Sequence, residues 1–274
     1  MKFEHVSRLL YSTPWAIKPE VYMSFHNVFQ AHIEGKKIEA FGMEIEYKTP
    51  DEYENIGGAA VIKIDGALGY KLGAIDKACM GACDYIDIRN AIAKAEQDEA
   101  VNSILLQISS PGGMVTGLQE TAARIANASK PVVAYTDDLA ASAGYYLAVS
   151  ADAVYATQSA QVGCIGTLMT WIDVSKAYEM NGIKRELVAS GKYKGMLMPG
   201  IPLTDEQREL LEDEVDALAT EFKNHVTSAR GEINPDHMEG QTLWGTAAKA
   251  AGLIDEIGDF EAALTEAQEL GVMQ

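Results

Sequence analysis

Three short segments carry residue types that can perform nucleophilic chemistry. The first is a Ser-Pro-Gly-Gly turn at residues 110–113, directly after an apolar run. The second is Ser142, which stands among small residues in the stretch ASAGYYLA. The third is SGKYKGM (190–196), which carries Lys192 and Lys194 between glycines. A serine hydroxyl becomes a nucleophile when a neighbouring base takes its proton, and a neutral lysine can be that base.

Each segment also has an ordinary structural explanation. A serine at the start of a helix is commonly an N-cap, a lysine in a loop is commonly solvated, and paired glycines commonly form a tight turn. The catalytic interpretation needs backbone N–H groups at the glycine turn and helix start to face an oxyanion. It also needs an apolar wall that keeps the lysine neutral, for which Met196, Leu197 and Met198 are candidates.

The order and spacing of SSPGG, ASAGYYLA and SGKYKGM resemble those of the signal peptide peptidase A family of Ser–Lys proteases. The resemblance continues through GCIGTLM (163–169) and TLWGTAAKAAGLIDEIGDFEAAL (242–264), and covers about residues 57–265. It implies the Clp protease–crotonase fold, which is an α/β spiral of ββα units with a mostly parallel buried sheet. It also implies a serine endopeptidase that works through an acyl-enzyme.

By motif, the resemblance assigns Ser142 as the nucleophile and Lys194 as the base. Lys192 is the alternative base. A Ser-His-Asp triad assembled from distant positions stays open, because triads are not local in sequence. Its histidine would come from the five in the chain: His5, His26, His32, His225 and His237.

The resemblance also assigns the oxyanion hole to the N–H groups of Gly113, with Gly112 beside it, and Ala143. The chain departs from the family at Cys164, where relatives usually have a serine that orients the lysine. A thiol is a poorer hydrogen-bond acceptor than a hydroxyl. Thr167 or a water could replace that serine, so this second layer of the site is in question.

Two other functions compete with proteolysis. A crotonase-type acyl-CoA enzyme shares the fold and the oxyanion hole but needs carboxylates at the site, and Asp137 and Asp138 lie near Ser142 in the sequence. A catalytically inactive scaffold or binding module would use the same motifs only to shape turns. Labelling of Ser142 by a serine-reactive probe distinguishes the first from a protease.

Composition excludes one class of function and sets several expectations. The net charge of −18 over 274 residues argues against a nucleic-acid binder, which needs a basic face. The amino-terminal residues lack the apolar core of a signal peptide, and no stretch reaches the length of a membrane span. We expect a soluble, cytoplasmic protein without a membrane anchor, in the host cytoplasm if a phage encodes it.

No metal or cofactor is implied, and Cys79 and Cys83, four apart on one helix face, are expected to be incidental.

The segment TPWAIKPEVY (13–22) resembles phage and prophage members of the family, whose relatives process capsid or scaffold proteins. The expected substrate is a polypeptide bound as an extended strand beside the segment after Gly113. The small residues around Ser142 favour small or apolar residues at the cleavage site. Because family members form rings or domes, we expect a homo-oligomer whose sites can draw on neighbouring subunits.

The elements that must position these residues alternate between strands and helices. We predict an N-terminal extension over residues 1–56, with an alternating run from Ile38 to Tyr47 and a polar linker at 49–56, followed by a protease domain over 57–274. Predicted helices cover about 20–34, 84–96, 115–128, 204–229, 245–252 and 260–269, and another starts near Ser142. Predicted strands include 103–108, 131–136, 152–157, 167–173 and 184–189.

Overall fold

A computed structural model of the chain describes residues 10–11, 13–33, 53–73, 77 and 81–273. Its strands are β1 (Trp15–Ile17), β2 (Glu54–Ile56), β3 (Ala59–Asp65), β4 (Ala67–Gly69), β5 (Ala82–Asp84), β6 (Ser103–Ser109), β7 (Gly112–Met114), β8 (Val132–Thr136), β9 (Leu139–Ala141), β10 (Ala153–Ala156), β11 (Gln161–Gly163), β12 (Thr242–Trp244) and β13 (Glu256–Ile257). Its helices are α1 (Pro19–Ile33), α2 (Tyr85–Gln97), α3 (Leu118–Ala126), α4 (Ala143–Ala148), α5 (Ser175–Met180), α6 (Asp205–Arg230), α7 (Gly245–Ala250) and α8 (Phe260–Val272).

A pair of strands followed by a helix repeats along the chain. In the pairs β3–β4, β6–β7 and β8–β9, the first strand joins a large sheet and the second, shorter strand joins a smaller sheet. Helices α2 (after β5), α3 and α4 follow these pairs. The large sheet has the order β13-β10-β8-β6-β3-β2 and is parallel except for β2. The predicted α/β architecture of ββα units with a mostly parallel sheet is therefore confirmed.

Both faces of the large sheet are covered, which explains why its strands read as almost continuous apolar runs. On one face, Val61 and Leu105 pack with Ala263 of helix α8. On the other face, Ile62 and Leu106 belong to the main core of the protein, which includes residues of helices α2, α3 and α4. The short strands that follow the large sheet lead to the candidate catalytic residues at one edge of this core.

Most predicted elements are present, and two predicted strands are wrong. The strands at 103–108 and 131–136 correspond to β6 and β8, and the helices at 84–96 and 204–229 correspond to α2 and α6. Residues 167–173 contain only an isolated bridge between Leu168 and Trp15, and residues 184–189 have no regular structure. The second segment has strand-like residues but no partner strand in the described chain, and an unpaired strand is not stable alone.

The predicted N-terminal extension contributes to the fold at two places. Strand β1, which is not among the predicted strands, enters a four-stranded sheet of order β1-β7-β4-β5. Strand β2 lies within the predicted linker and pairs with β3. The boundary at 56/57 stays a prediction, and the alternating run 38–47 lies outside the described residues.

Cys83 lies in strand β5, so the predicted placement of Cys79 and Cys83 on one helix face is wrong; Cys79 lies outside the described residues. Burial raises the pKa of the Cys83 thiol to about 12, so it stays protonated at neutral pH. Within the described ranges, no three or more histidine, cysteine or acidic residues converge as a metal site. None of the helices described is both long and apolar enough to cross a bilayer.

Helix α6 begins with the capping box that its sequence predicts. The Thr204 side chain accepts a hydrogen bond from the Gln207 N–H at 3.2 Å, and the Gln207 side chain accepts one from the Thr204 N–H at 3.1 Å. These bonds satisfy two N–H groups that a helix start otherwise leaves unpaired. The helix is anchored to the core by Phe222 and Val226.

Replacing Thr204 with alanine is expected to destabilise the protein by about 1 kcal/mol, because it removes one side of the capping box. Thermal unfolding monitored by circular dichroism measures this loss. Thr220→Ala is the matched control, since Thr220 lies on the exposed surface of the same helix and alanine is the better helix former there. Equal melting temperatures for Thr204→Ala and the unmutated chain would show that the capping box contributes nothing.

Candidate active site

Ser142 stands at a sharp turn between strand β9 and helix α4. Its backbone has φ 54° and ψ −121°, a conformation that residues with a Cβ rarely adopt. Two hydrogen bonds hold it: the Ser142 N–H donates to the Gly163 carbonyl at 2.7 Å, and the Ser142 carbonyl accepts from the Tyr146 N–H at 2.9 Å. Such strain persists only where the surrounding structure imposes it, and it concentrates at functional sites.

The Ser142 hydroxyl is buried and unpaired. The residue is 1% exposed, and its Oγ has no hydrogen-bond partner within the described chain. Burying a hydroxyl without a partner costs about 1–3 kcal/mol, so such groups are uncommon. Ser142 occupies the N-cap position of helix α4, but its side chain caps no N–H of that helix.

The Gly112–Gly113 turn lies directly against Ser142. A methyl group placed on Gly112 would be 2.2 Å from the Ala16 carbonyl oxygen, 2.8 Å from Ser142 Cβ and 3.0 Å from the Ala143 nitrogen. Gly112 has φ +99°, so both its backbone and its surroundings require glycine. A methyl group placed on Gly113 would be 2.0 Å from the Leu68 carbonyl oxygen, so this position too has no room for a side chain.

The structure thus brings together four of the residues singled out by sequence: Gly112, Gly113, Ser142 and Ala143. Ala143 is the first residue of α4, so its N–H has no acceptor within the helix. Helix α4 is only six residues long, so we attribute any oxyanion binding to individual N–H groups and not to a helix dipole.

Sequence reasoning missed Ser110, which shapes the turn. The Ser110 hydroxyl donates to the Gly66 carbonyl at 2.7 Å and accepts from the Gly112 N–H at 3.2 Å. It is fully buried against Gly144 of helix α4. The signal was present in the sequence, because a serine two residues before a glycine is well placed to hydrogen-bond the backbone of a turn.

Cys164 follows the Gly163 carbonyl that holds Ser142, so the structure places it beside the nucleophile candidate. Burial raises the pKa of its thiol to about 11, and the charge of Lys18 acts in the opposite direction. Ser142 also interacts with the thiol and lowers its pKa, although the geometry of the pair falls short of a hydrogen bond. Cys164 is therefore a neutral thiol at physiological pH.

Thr167 does not turn toward Ser142. Its hydroxyl donates to the Val215 carbonyl of helix α6 at 2.9 Å. Thr167 and Cys164 both line a cleft of about 330 Å³ that extends between strand β1 and helix α6. Asp216, Lys223 and Glu239 lie on its wall, and the Lys223 ammonium pairs with the Glu239 carboxylate at 2.6 Å.

Lys194 is not brought to Ser142 within one chain. It lies in an exposed turn, and no hydrogen bond links it to the Ser142 hydroxyl, which has no partner in the described residues. Lys192, the alternative base, forms an ion pair with Glu206 at the start of α6. The hydrogen bond to Glu206 raises the pKa of Lys192, which keeps this lysine protonated.

Of the histidine and carboxylate candidates, His26, His225 and Asp138 have partners away from Ser142. His26 hydrogen-bonds Tyr11, and His225 lies 3.0 Å from the Ser150 hydroxyl and stacks on Tyr146. The Asp138 carboxylate accepts hydrogen bonds from the Ser109 hydroxyl at 2.6 Å and from the Leu139 N–H. Neither a Ser-His-Asp triad nor a free carboxylate for acyl-CoA chemistry is assembled around Ser142 in the described residues.

Sequence profiles match the chain to two families. The profile of Peptidase family S49 matches residues 124–273, and that of the NfeD1b N-terminal domain matches residues 76–170. The first match spans more than half of the chain and includes Ser142, Cys164 and Lys194.

Individual relatives are proteases by name. The chain is 33% identical to the capsid assembly protease C of Escherichia phage lambda over 78% of its own length and 49% of that protein. It is 30% identical to a putative signal peptide peptidase SppA of Enterococcus faecium over 63% of its length and 52% of that protein. The chain thus spans about half the length of these relatives. Among solved structures, a putative enoyl-CoA hydratase/carnithine racemase of Magnetospirillum magneticum AMB-1 aligns with 20% sequence identity and a TM-score of 0.47. The alignment covers 80% of this chain and 75% of that one.

Gly112→Ala is expected to displace strand β1 or the Ser142 turn, because the added methyl group overlaps the Ala16 carbonyl. In a Trp171→Phe, Trp244→Phe background, the buried Trp15 reports this by a red shift of its fluorescence, with a lower melting temperature. Gly240→Ala is the control, since Gly240 has a similar φ of +92° but open space around it. Unchanged emission and melting in Gly112→Ala would contradict the close approach.

Proposed function

This chain belongs to peptidase family S49, and we propose that it is a serine endopeptidase in which Ser142 is the nucleophile and Lys194 the base. The observation that carries the proposal is the strained, buried Ser142, which has an unpaired hydroxyl and lies against Gly112. A merely structural serine at this position would cap the helix or bond to its neighbours. The peptidase relatives favour proteolysis over the acyl-CoA and scaffold alternatives.

In the proposed mechanism, neutral Lys194 takes the Ser142 proton as Oγ attacks a peptide carbonyl carbon. The N–H groups of Gly113 and Ala143 stabilise the negative oxygen of the tetrahedral intermediate, at about 3–4 kcal/mol for each donor. The lysine then gives the proton to the departing amine. Water hydrolyses the acyl-enzyme and returns Ser142 to its starting state.

We propose that Lys194 reaches Ser142 of a neighbouring copy of the chain. In a single chain Lys194 is exposed, whereas a lysine base has to be desolvated. The segment that carries it also exposes large apolar side chains, with Val188 fully exposed and Ile183 and Met198 41–51% exposed. A surface of this kind is typical of a contact with another protein. Burial in that contact would remove water from Lys194.

The cleft beside Cys164 is a suitable entrance for that lysine. It lies beside Cys164, and its wall carries two carboxylates, Asp216 and Glu239, and one lysine, Lys223, which pairs with Glu239 at 2.6 Å. The excess acidic charge attracts a cation. Residues 184–189, which lack a partner strand within the described chain, would also gain one if neighbouring copies paired there. These features support a homo-oligomer as the active form.

The substrate we propose is polypeptide, and the phage relative suggests capsid or scaffold segments. The lambda protein is a capsid assembly protease by name, and it shares 33% identity with this chain. Both edges of β7 are paired in the folded chain, with β1 and with β4, so a strand-like substrate would lie beside β7 in the place of β1. The narrow space around Ser142, bounded by Gly112 and Ala143, suits a small residue at the cleaved bond.

Ser142→Ala and Lys194→Ala are each expected to lower the cleavage rate of an unfolded protein at least about a thousand-fold. Lys192→Ala is the matched control and should keep most activity, because Lys192 is held by Glu206. A 1:1 mixture of the two inactive variants, unfolded and refolded together, should regain about a quarter of the activity if each site joins two chains in a head-to-tail ring.

Two outcomes of that experiment are informative in different ways. Cleavage by Ser142→Ala at the rate of the unmutated chain would refute the proposed activity. If both single variants were inactive and the mixture stayed inactive, the dyad would stand but its assembly from two chains would be wrong.

Cys164→Ser is expected to raise kcat several-fold with little change in KM. A serine hydroxyl accepts a hydrogen bond from the lysine better than the neutral thiol does, so it orients the base. Cys164→Ala, which removes the acceptor, is the control and should not increase kcat. Initial-rate kinetics on a fluorogenic peptide separate the two constants, and an equal rise in both variants would assign the effect to packing.

A further inference from the structure

Strand β1 occupies a groove where a substrate strand would be expected. On one side it pairs antiparallel with β7, with Ala16 opposite Gly113. On the other side Trp15 exchanges two backbone hydrogen bonds with Leu168, at 2.9 and 2.8 Å. A three-residue strand that is bonded along both edges, with Ala16 fully buried, is held as tightly as a bound peptide.

The register places one particular peptide bond at the serine. Two hydrogen bonds mark rungs of the β1–β7 ladder: Lys18 N–H to the Pro111 oxygen at 2.9 Å, and Val115 N–H to the Pro14 oxygen at 3.4 Å. Hydrogen-bonded pairs recur at every second residue of an antiparallel ladder, and Ala16 with Gly113 lies midway between them. The Ala16 carbonyl therefore accepts from the Gly113 N–H, which is the proposed oxyanion donor.

The proposed second donor and the proposed nucleophile lie near the same carbonyl. The point 2.2 Å from the Ala16 oxygen, where a Gly112 methyl group would lie, is 2.8 Å from Ser142 Cβ and 3.0 Å from the Ala143 nitrogen. The Ala16 carbonyl oxygen therefore lies within about 5 Å of both Ser142 Cβ and the Ala143 nitrogen, in the region that the carbonyl of a bond to be cut would occupy. The bond is the one between Ala16 and Ile17.

The side chains of β1 alternate as those of a bound peptide do. Ala16 belongs to the main core, which also contains Ala140 and Ala143 on either side of Ser142 in the sequence. Trp15 and Ile17 face the other way and pack with Tyr22 and Met114. The strand therefore presents a small residue to the serine, flanked by large apolar residues that fill a separate cluster.

We propose that the chain cleaves itself between Ala16 and Ile17, and that segments of the same kind are its substrates: extended, with alanine at the cleaved bond and large apolar neighbours. This inference rests on the proposed function. Ser142 Oγ bonds to the Ala16 carbonyl carbon as the bond to the Ile17 nitrogen breaks, and the serine proton passes through Lys194 to the new Ile17 amine. Water then hydrolyses the ester, leaving a carboxylate on Ala16 and restoring the Ser142 hydroxyl.

Intact-mass spectrometry of the purified full chain tests the proposal, with Ser142→Ala as the comparison. The unmutated protein should accumulate a species that begins at Ile17, together with the fragment that ends at Ala16. Ser142→Ala should stay whole at this bond. Circular dichroism of both proteins confirms that they fold alike, so that the difference reports cleavage and not stability.

The refolded mixture of Ser142→Ala and Lys194→Ala chains sharpens the test, because the two variants differ in mass. Each β1 lies on the Ser142 of its own chain, so only the Lys194→Ala chains, which keep the serine, should be cut. Cleavage of the Ser142→Ala chains at this bond would overturn the arrangement, since it would require a serine other than the one beneath β1.

Cleavage of an unfolded protein, measured in parallel, separates the two proposals. If the unmutated protein digests that substrate while its own Ala16–Ile17 bond stays intact, the self-cleavage proposal is wrong and the proposed function stands. If it digests neither, the proposed function fails as well. Cleavage of both, each abolished by Ser142→Ala, is the expected result.

Discussion

The hydrogen bond from the Ser142 N–H to the Gly163 carbonyl is the interaction on which the site depends. It ties the end of β9 to the end of β11 and holds Ser142 at a positive φ that its Cβ disfavours. Because of that backbone angle, the side chain points away from helix α4 and caps nothing. The same bond sets Cys164, the next residue, beside the serine. Loss of this one contact would let the turn relax and return Ser142 to the ordinary role of a helix cap.

Close backbone approach is the second requirement of the site, and it explains the small residues around it. Gly113 contacts the backbone of Leu68, and Gly144 lies against Ser110, with separations that leave little or no space for a methyl group. Short strands from different ββα units can meet here only because the residues at their ends are glycine, alanine and serine. The strand from the N-terminal region takes part in the same packing, since Ala16 lies in the main core.

Much of this arrangement was predictable from sequence. Buried parallel strands such as β6 and helices such as α6 follow from local patterns, apolar runs and a capping box, that tertiary packing reinforces. The residues around Ser142 were found through the order of three motifs, each of which is weak alone. Strand β1 was missed, because three residues between prolines carry almost no periodicity, and their conformation comes from partners at Gly112–Met114 and Leu168. The strand predicted at 184–189 is wrong for the opposite reason: its residues are strand-like, but they have no partner strand in the described chain.

The exposed position of Lys194 has a consequence for when such an enzyme works. If Ser142 and Lys194 are the nucleophile and base, as proposed, a single chain carries the first buried and the second exposed, and it would be inert alone because neither group acts without the other. Turnover then depends on how many copies meet, and it rises more steeply than the amount of protein. Dilute, newly made chains would then need no separate inhibitor, and proteolysis would begin where many copies gather.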